Sequence, residues 1–334
     1  MKAAVLTHVE QPFELTTLRD PEPGPGQVRI RIHASGLCGT DMHVWHGHIP
    51  IPLPAVIGHE PVGVVDKLGP GATARRVGDR VGVSWHQSGC GRCKYCQEGR
   101  TQFCLNGTRT WVENGGGNSE LMLAEASGCT LLPDGLSFEA AAPLFCAGFT
   151  VMSGYRNASP RTGERVAIIG IGGLGHLALQ VAKALGHDTI AITSSEGKRA
   201  EAKALGADEV LVIKSDAGKE LASMGGADIV LSTSNSMQQN SQVLSGLRPQ
   251  GRLVSMAVGA EPIQVSPMQL LMGQIQIRGA SQGDRRDLVE VLHLAAAGKV
   301  KPALELYPLA EINKAVLRLD EGKVRYRAVI QHEA

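Results

Sequence analysis

No apolar stretch in this 334-residue chain approaches the roughly 20 residues that a bilayer-spanning helix needs. Aromatic residues are scarce, 4% of the total. Neither sign of charge dominates either: 33 Lys and Arg stand against 32 Asp and Glu, a formal net charge of +1. With no basic run or basic excess, nucleic acid and anionic membrane surfaces are poor candidates for partners. The opening "MKAAVLTHVEQPFELTTLRD" lacks the apolar core of a secretory signal, so a cytoplasmic protein is expected. Internal repeats and low-complexity tracts are also missing.

What the chain does have is a globular protein's interior. Its hydrophobic content is 43%, and its length suits about two domains. Forty-one glycines suit many tight turns and close backbone contacts.

The seven cysteines are unevenly spread. Cys90, Cys93, Cys96 and Cys104 fall in "CGRCKYCQEGRTQFC", with the spacing C-x2-C-x2-C-x7-C, while Cys38, Cys129 and Cys146 stand alone. A reducing cytosol disfavours structural disulfides, which leaves metal binding or redox chemistry for the cluster. Four thiolates at short intervals wrap a zinc ion tetrahedrally and leave no open position, so the site holds a loop rather than catalyses. A thioredoxin-like redox pair needs two cysteines in another setting. A nucleic-acid-binding zinc ribbon sits badly with near-neutral charge. A structural zinc is the expected occupant.

The organisation changes along the chain. The first 130 or so residues read as β-rich, with short apolar runs such as "QVRIRIHA", "VGVVDKLG" and "VGDRVGVS" between Pro- and Gly-rich breaks. After about residue 148 strands alternate with helices. "ERVAIIG", "DTIAIT", "EVLVI", "DIVLST" and "GRLVSMAV" are strand candidates, and Leu174, Leu177, Ala178, Val181, Ala182 and Leu185 repeat at helical spacing. That alternation predicts a parallel sheet with helices on both faces. Near residue 275 it weakens. Two amphipathic helices and a closing strand, "RYRAVIQ", then follow.

Gly170, Gly172 and Gly175 form G-x-G-x-x-G, with Gly173 as an extra glycine. The motif follows a strand and opens a helix within a βαβ unit, the context a dinucleotide site requires. The first glycine permits the turn, the second lets backbone approach a pyrophosphate, and the third lets helix and strand pack closely. Gly173, Leu174 and the helix start complete the candidate cradle. At the next strand end, where NAD enzymes carry an acidic residue for the ribose, the chain reads Thr193-Ser194-Ser195. Ser194, Ser195 and the cations Lys198 and Arg199 suit a 2′-phosphate, which favours NADP(H). Glu196 leaves NAD(H) open, and a helix cap is the plainer reading of the same residues.

Cys38 lies in "GLCGTDMHVWHG", His59 in Gly-His-Glu, and Cys146 in "PLFCAGFTV". Two thiolates and one imidazole make a good catalytic zinc set, although spacing alone cannot join residues so far apart. With these motifs, Gly-Asp-Arg-Val at 78–81, the four-cysteine lobe and the glycine motif, the chain resembles the zinc-dependent alcohol dehydrogenases of the medium-chain dehydrogenase/reductase superfamily over essentially its whole length. "TSSEGKR" and "EGKVRYRAVI" look most like the NADP-dependent cinnamyl-alcohol-dehydrogenase and aldehyde-reductase branch.

The resemblance implies an α/β protein of two parts. A GroES-like β-barrel catalytic domain would be built from residues 1–147 and 275–334, with a Rossmann doubly wound parallel sheet over 148–274 between them. It implies two zinc ions per chain: a catalytic one on Cys38, His59 and Cys146, with Glu60 an occasional fourth ligand, and a structural one on the cysteine cluster. Thr40 and His43 would relay the substrate proton, Asp41 would orient His59, and Arg327 would reach the cofactor pyrophosphate. Ile49 and Trp85 match positions lining the substrate pocket, although Trp85 equally suits the core. Cys129 matches nothing and reads as a small buried hydrophobe. The implied activity is reversible hydride transfer between NAD(P)(H) and a primary alcohol or aldehyde with an apolar or aromatic side, by a homodimer or homotetramer. A polyol or secondary-alcohol dehydrogenase is an alternative that Cys146 disfavours, since many of those use a carboxylate there. A specialised iminium or enoyl reductase is another, and the intact relay and ligand set speaks against it.

Overall fold

The computed structural model describes residues 1–112 and 115–333, which form two compact units. The first comprises residues up to Ala147 together with those from Pro302 onward, and the second is Gly148–Lys301.

In the first unit β1 (Lys2–Val5) and β2 (Glu14–Thr17) form an antiparallel ribbon. The long β3 (Gln27–Leu37) leads into α1 (Gly39–Trp45), and β4 (Glu60–Leu68) returns antiparallel along it. Val28, Ile30, Ile32 and Ala34 alternate inward on β3, as a half-buried strand demands. Arg29 between them turns outward, its Nε 2.9 Å from Asp66. Then come β5 (Arg80–Gly82), β6 (His86–Ser88), the short α2 (Lys94–Gln97), β7 (Thr108–Arg109), β8 (Leu121–Glu125), β9 (Thr130–Leu131) and α3 (Phe138–Ala141). Val28, Ile30, Val65, Val81, Met122 and Cys129 are buried in one core there.

The second unit begins within α4 (Ala147–Asn157) and is a six-stranded parallel sheet. Its elements are β10 (Arg165–Ile169), α5 (Gly175–Ala184), β11 (Asp188–Thr193), α6 (Arg199–Ala204), β12 (Glu209–Val212), α7 (Ala217–Ser223), β13 (Ala227–Ser232), α8 (Met237–Gln242), β14 (Leu247–Ser255), α9 (Pro267–Gly273), β15 (Gln276–Gly279) and α10 (Arg285–Ala296). The strand order is β12-β11-β10-β13-β14-β15, so the chain reverses direction across the sheet between β10 and β13. In open sheets of this kind ligands bind beyond the strand ends at that reversal. All five residues of β10 are buried, the mark of a central strand covered on both faces.

The return to the first unit falls at residue 302, not at 275. Residues 276–279 form β15, parallel to β14, and Ile275 belongs to the second unit's core. The periodicity fades there because β15 is an exposed edge strand, not because the domain changes. In the returning segment β16 (Leu304–Pro308), α11 (Ile312–Asp320) and β17 (Arg327–Gln331) complete a sheet ordered β16-β17-β3-β4-β5-β9, with β8 paired to β3.

Candidate metal and cofactor sites

Cys38 is the N-cap of α1, and Asp41 is its third helical residue. One Asp41 oxygen accepts the Cys38 backbone N–H at 2.8 Å, closing a capping box. The other lies 3.4 Å from Nδ1 of His59. One buried carboxylate therefore sets both the start of the helix and the orientation of an imidazole arriving at the head of β4. Cys146 comes from the segment after α3, and its Sγ is 3.7 Å from that of Cys38.

Ligand atoms of Cys38, His59, Glu60 and Cys146 all lie within 4.8 Å of one another. Tetrahedral zinc–sulfur bonds of about 2.3 Å put two sulfurs about 3.8 Å apart, so the Cys38–Cys146 spacing fits that metal. Charge points the same way. The hydrogen bond from Cys146 holds the Cys38 thiol well below its ordinary pKa, and the same contact pushes Cys146 up. Two thiolates this close lose both protons only when a cation compensates them.

Glu60 is fully buried and ion-paired to Arg327 of β17, itself 3% exposed. Burial pushes Glu60 up to about 7 against the pull of that guanidinium. Arg327 is thus no exposed surface arginine: it is buried and paired with Glu60, beside the candidate ligands. Space for Glu60 comes from Gly36 on the neighbouring strand, where an added Cβ would lie 1.9 Å from Oε2.

Thr40 and His43 stand three residues apart on α1 and so share a face. The Thr40 hydroxyl is 3.8 Å from Cys38 Sγ. Trp85 and Ile49 line one open groove of the first unit, with Trp111 and Val112 beside them. Trp111, which sequence reasoning missed, packs edge-on against His59 at 5.0 Å and against Trp85 at 4.8 Å between ring centroids. Trp85 also belongs to the packed cluster containing Leu37 and Ile57, so it serves the core and the groove together.

Cys90, Cys93, Cys96 and Cys104 converge likewise within 4.8 Å. Cys93 and Cys96 flank the first turn of α2 with their sulfurs 3.5 Å apart, and the Cys90 N–H donates to Cys104 Sγ at 3.3 Å. Backbone N–H groups of Arg92 and Cys93 lower Cys90 to about 6. Four convergent sulfurs, with no fifth metal-binding side chain grouped with them among the described residues, fit a closed zinc site.

In the second unit β10 gives way to Gly170, whose φ of +90° suits glycine. A Cβ at Gly175 would lie 1.9 Å from the Gly170 carbonyl, so helix and strand pack as the motif anticipates. At Gly172 a Cβ would meet nothing within 4 Å, leaving the open backbone a pyrophosphate needs. Leu174 is the N-cap of α5 and makes no side-chain cap, while the His176 and Leu177 N–H groups pair with the Gly172 and Leu174 carbonyls. Sequence reasoning also missed Thr233, whose hydroxyl donates to the Gly170 carbonyl at 2.5 Å and pins the turn. Lys198 reaches back to the Ile171 carbonyl at 2.6 Å. Ser194 and Ser195 are exposed at the end of β11. Glu196 is paired to Arg199, which also donates to the Val210 carbonyl.

Comparison with known proteins agrees with both halves. Residues 24–134 match the "Alcohol dehydrogenase GroES-like domain" and residues 173–297 the "Zinc-binding dehydrogenase" family. An alcohol dehydrogenase of Geobacillus stearothermophilus is 38% identical over 99% of both chains. Aldehyde reductase AdhA of Synechocystis is 35% identical over 96% of this chain and 95% of its own, and NADP-dependent alcohol dehydrogenase C 1 of Mycolicibacterium smegmatis is 33% identical over 99% and 97%. Among solved structures, a cinnamyl alcohol dehydrogenase of Sorghum bicolor superposes with TM-score 0.90 at 30% identity, over 99% of this chain and 97% of its own. An acetophenone reductase of Geotrichum candidum in complex with NAD gives 0.87 at 29%, over 99% and 96%.

The chain belongs to the zinc-dependent alcohol dehydrogenases of the medium-chain dehydrogenase/reductase superfamily, with a GroES-like unit and a Rossmann unit. It is an enzyme, an oxidoreductase that takes zinc and a nicotinamide cofactor. Among the described residues no helix is long and apolar enough to cross a membrane.

Proposed function

We propose that this enzyme interconverts a primary alcohol carrying an apolar or aromatic group and its aldehyde, with NADP(H) preferred. The observation that carries the reading is the convergence of Cys38, His59 and Cys146 beside the paired rings of Trp85 and Trp111. Cys38, His59 and Cys146 would hold the catalytic zinc, with Glu60 within reach, and the cluster Cys90, Cys93, Cys96 and Cys104 a structural one. Zinc bound there supplies Lewis-acid polarisation of the substrate oxygen. The nicotinamide supplies or accepts the hydride.

The chain's own residues do the rest. Asp41 fixes the His59 ring so that its other nitrogen faces the cluster. Thr40 exchanges a proton with the substrate hydroxyl, and His43 on the same helix face passes that proton outward. Trp85, Trp111 and Ile49 give the substrate tail apolar walls and keep water from the reacting carbon. Gly170, Gly172, Gly173, Leu174 and Gly175 cradle the pyrophosphate. Ser194, Ser195 and Lys198 suit the 2′-phosphate, and Glu196, engaged by Arg199, offers the ribose no free carboxylate. We place the enzyme in the cytoplasm as a homo-oligomer, since the open edge of β15 and the exposed Met268, Leu271 and Met272 of α9 suit a second copy.

The test is the initial rate of NADPH and of NADH oxidation with benzaldehyde or cinnamaldehyde. Faster turnover with NADPH supports the reading. A preference for NADH returns the ribose to Glu196 or another residue, and no turnover with either overturns the substrate class.

A further inference from the structure

Three imidazoles crowd the end of α1. The ring of His43, in the helix's last turn, lies 5.8 Å from that of His48, and His48 lies 5.5 Å from His46 with the planes 24° apart. His46 in turn carries two carboxylates. Asp320 of α11 is 2.7 Å from its Nε2, and Glu10 of the N-terminal loop is 3.4 Å from its Nδ1. Exposure rises outward: His43 and His46 are half-buried and His48 is exposed. The remaining carboxylate of α1, Asp41, is buried and turned to His59 and the Cys38 N–H, so it stands apart from this chain.

We propose that His48, backed by His46 with Asp320 and Glu10, is the solvent end of the enzyme's proton path, taking the relay's proton from His43 and releasing it to water. The proposal rests on the reading of His43 given above and extends it. Each alcohol oxidised leaves one proton for each hydride transferred, and aldehyde reduction brings the same proton in. His43 has two ring nitrogens, so it accepts a proton on one and gives one up from the other. The 5.8 Å between the His43 and His48 ring centroids is a separation that one water molecule can bridge. His48 then loses the proton to bulk solvent and is neutral again. Only N–H and O–H bonds form and break along this path, and no electrons travel it.

The chemistry of the cluster suits the task. Imidazole is the side chain whose ordinary pKa lies nearest neutrality, so it both takes and releases protons there. Hydrogen bonding to Asp320 raises His46, which therefore keeps its own proton more readily. With both carboxylates ionised the cluster stays net negative even then, so an arriving proton is attracted rather than repelled. Nothing in the helix itself requires this arrangement, since the exposed His48 lies beyond its last turn.

The test follows a single turnover of alcohol oxidation by the full enzyme in very dilute buffer, recording cofactor reduction by absorbance and proton appearance with a pH indicator. In the wild type the two appear together. In His48→Gln, proton appearance should slow about fivefold, well short of the roughly hundredfold or more for a group that moves the proton at the reacting atom. Added imidazole buffer should restore it, and KM should not change. Wild-type proton release in His48→Gln overturns the proposal, as does a loss that buffer does not restore. His43→Gln, measured alongside, separates the two claims. A loss there with normal His48→Gln removes only the exit, whereas no change in His43→Gln removes the relay beneath it.

Discussion

Gly36 and Glu60 face each other across β3 and β4 with no room between them: a carbon added to the glycine would lie 1.9 Å from Glu60 Oε2. Glu60 cannot retreat, since it is fully buried and held on its other side by Arg327. Gly36→Ala should therefore displace the carboxylate beside His59. Misplacement on this scale costs up to about a hundredfold in rate, so kcat/KM should fall by about tenfold or more while zinc content stays unchanged. Wild-type kinetics in that variant would show that Glu60 has no part in turnover.

The two cysteine sets should fail in different ways. Cys38→Ser or His59→Ala should abolish turnover and leave NADPH binding, read by fluorescence titration, largely intact. Cys93→Ser should lower the melting temperature and remove one zinc per chain before it touches kcat, because a closed metal site contributes its binding free energy to folding. Equal thermal loss in all three variants would contradict this division.

Lys198 tests the cofactor preference. Its ammonium lies beside the glycine turn, 2.6 Å from the Ile171 carbonyl, and the proposed 2′-phosphate would draw it. A hydrogen bond between charged groups contributes about 1.5–3 kcal/mol, so Lys198→Gln should raise KM for NADPH by about tenfold to a hundredfold and leave KM for NADH nearly unchanged. Parallel changes for both cofactors would mean that the lysine only braces the turn.

His332 predicts an acid limit on stability. Its Nε2–H donates to the Gly117 carbonyl at 3.0 Å, Nδ1 is buried without a partner among the described residues, and burial lowers its pKa to about 4. The unfolded chain takes up this proton below about 6.5, while the folded chain resists it until about 4. Stability is complete above the upper value, falls as the pH drops through this window and levels off below it, a loss of about 3 kcal/mol. His332→Gln should flatten that slope in denaturant titrations between pH 7 and 4. An unchanged slope would assign the acid sensitivity to other groups.

Much of this was legible in the chain itself, because the signals are local. The glycine turn, the cysteine lobe, β10 and β11 all lie in runs short enough for spacing to carry meaning. Cys38, Asp41 and Thr40 share one helix start, so their relationship is local too. The union of Cys38, His59 and Cys146 is not, since it depends on how β3, β4 and the segment after α3 fold together; only likeness to a family suggested it. Trp111 escaped notice because nothing near it in sequence announces a groove. The late return at residue 302 escaped because an exposed edge strand carries little periodicity.

The pairing of Arg327 with Glu60 also has a consequence for the order in which the molecule is made. Cys38, His59 and Glu60 leave the ribosome early, but the guanidinium that balances the buried carboxylate belongs to the last strand of the chain. Until β17 docks against β3, Glu60 would sit in the interior without a counter-ion, a costly arrangement that keeps the pocket loose. A nascent or truncated chain that stops short of β17 therefore holds its metal donors yet lacks a finished centre, and the docking of β17 becomes the step that completes the site.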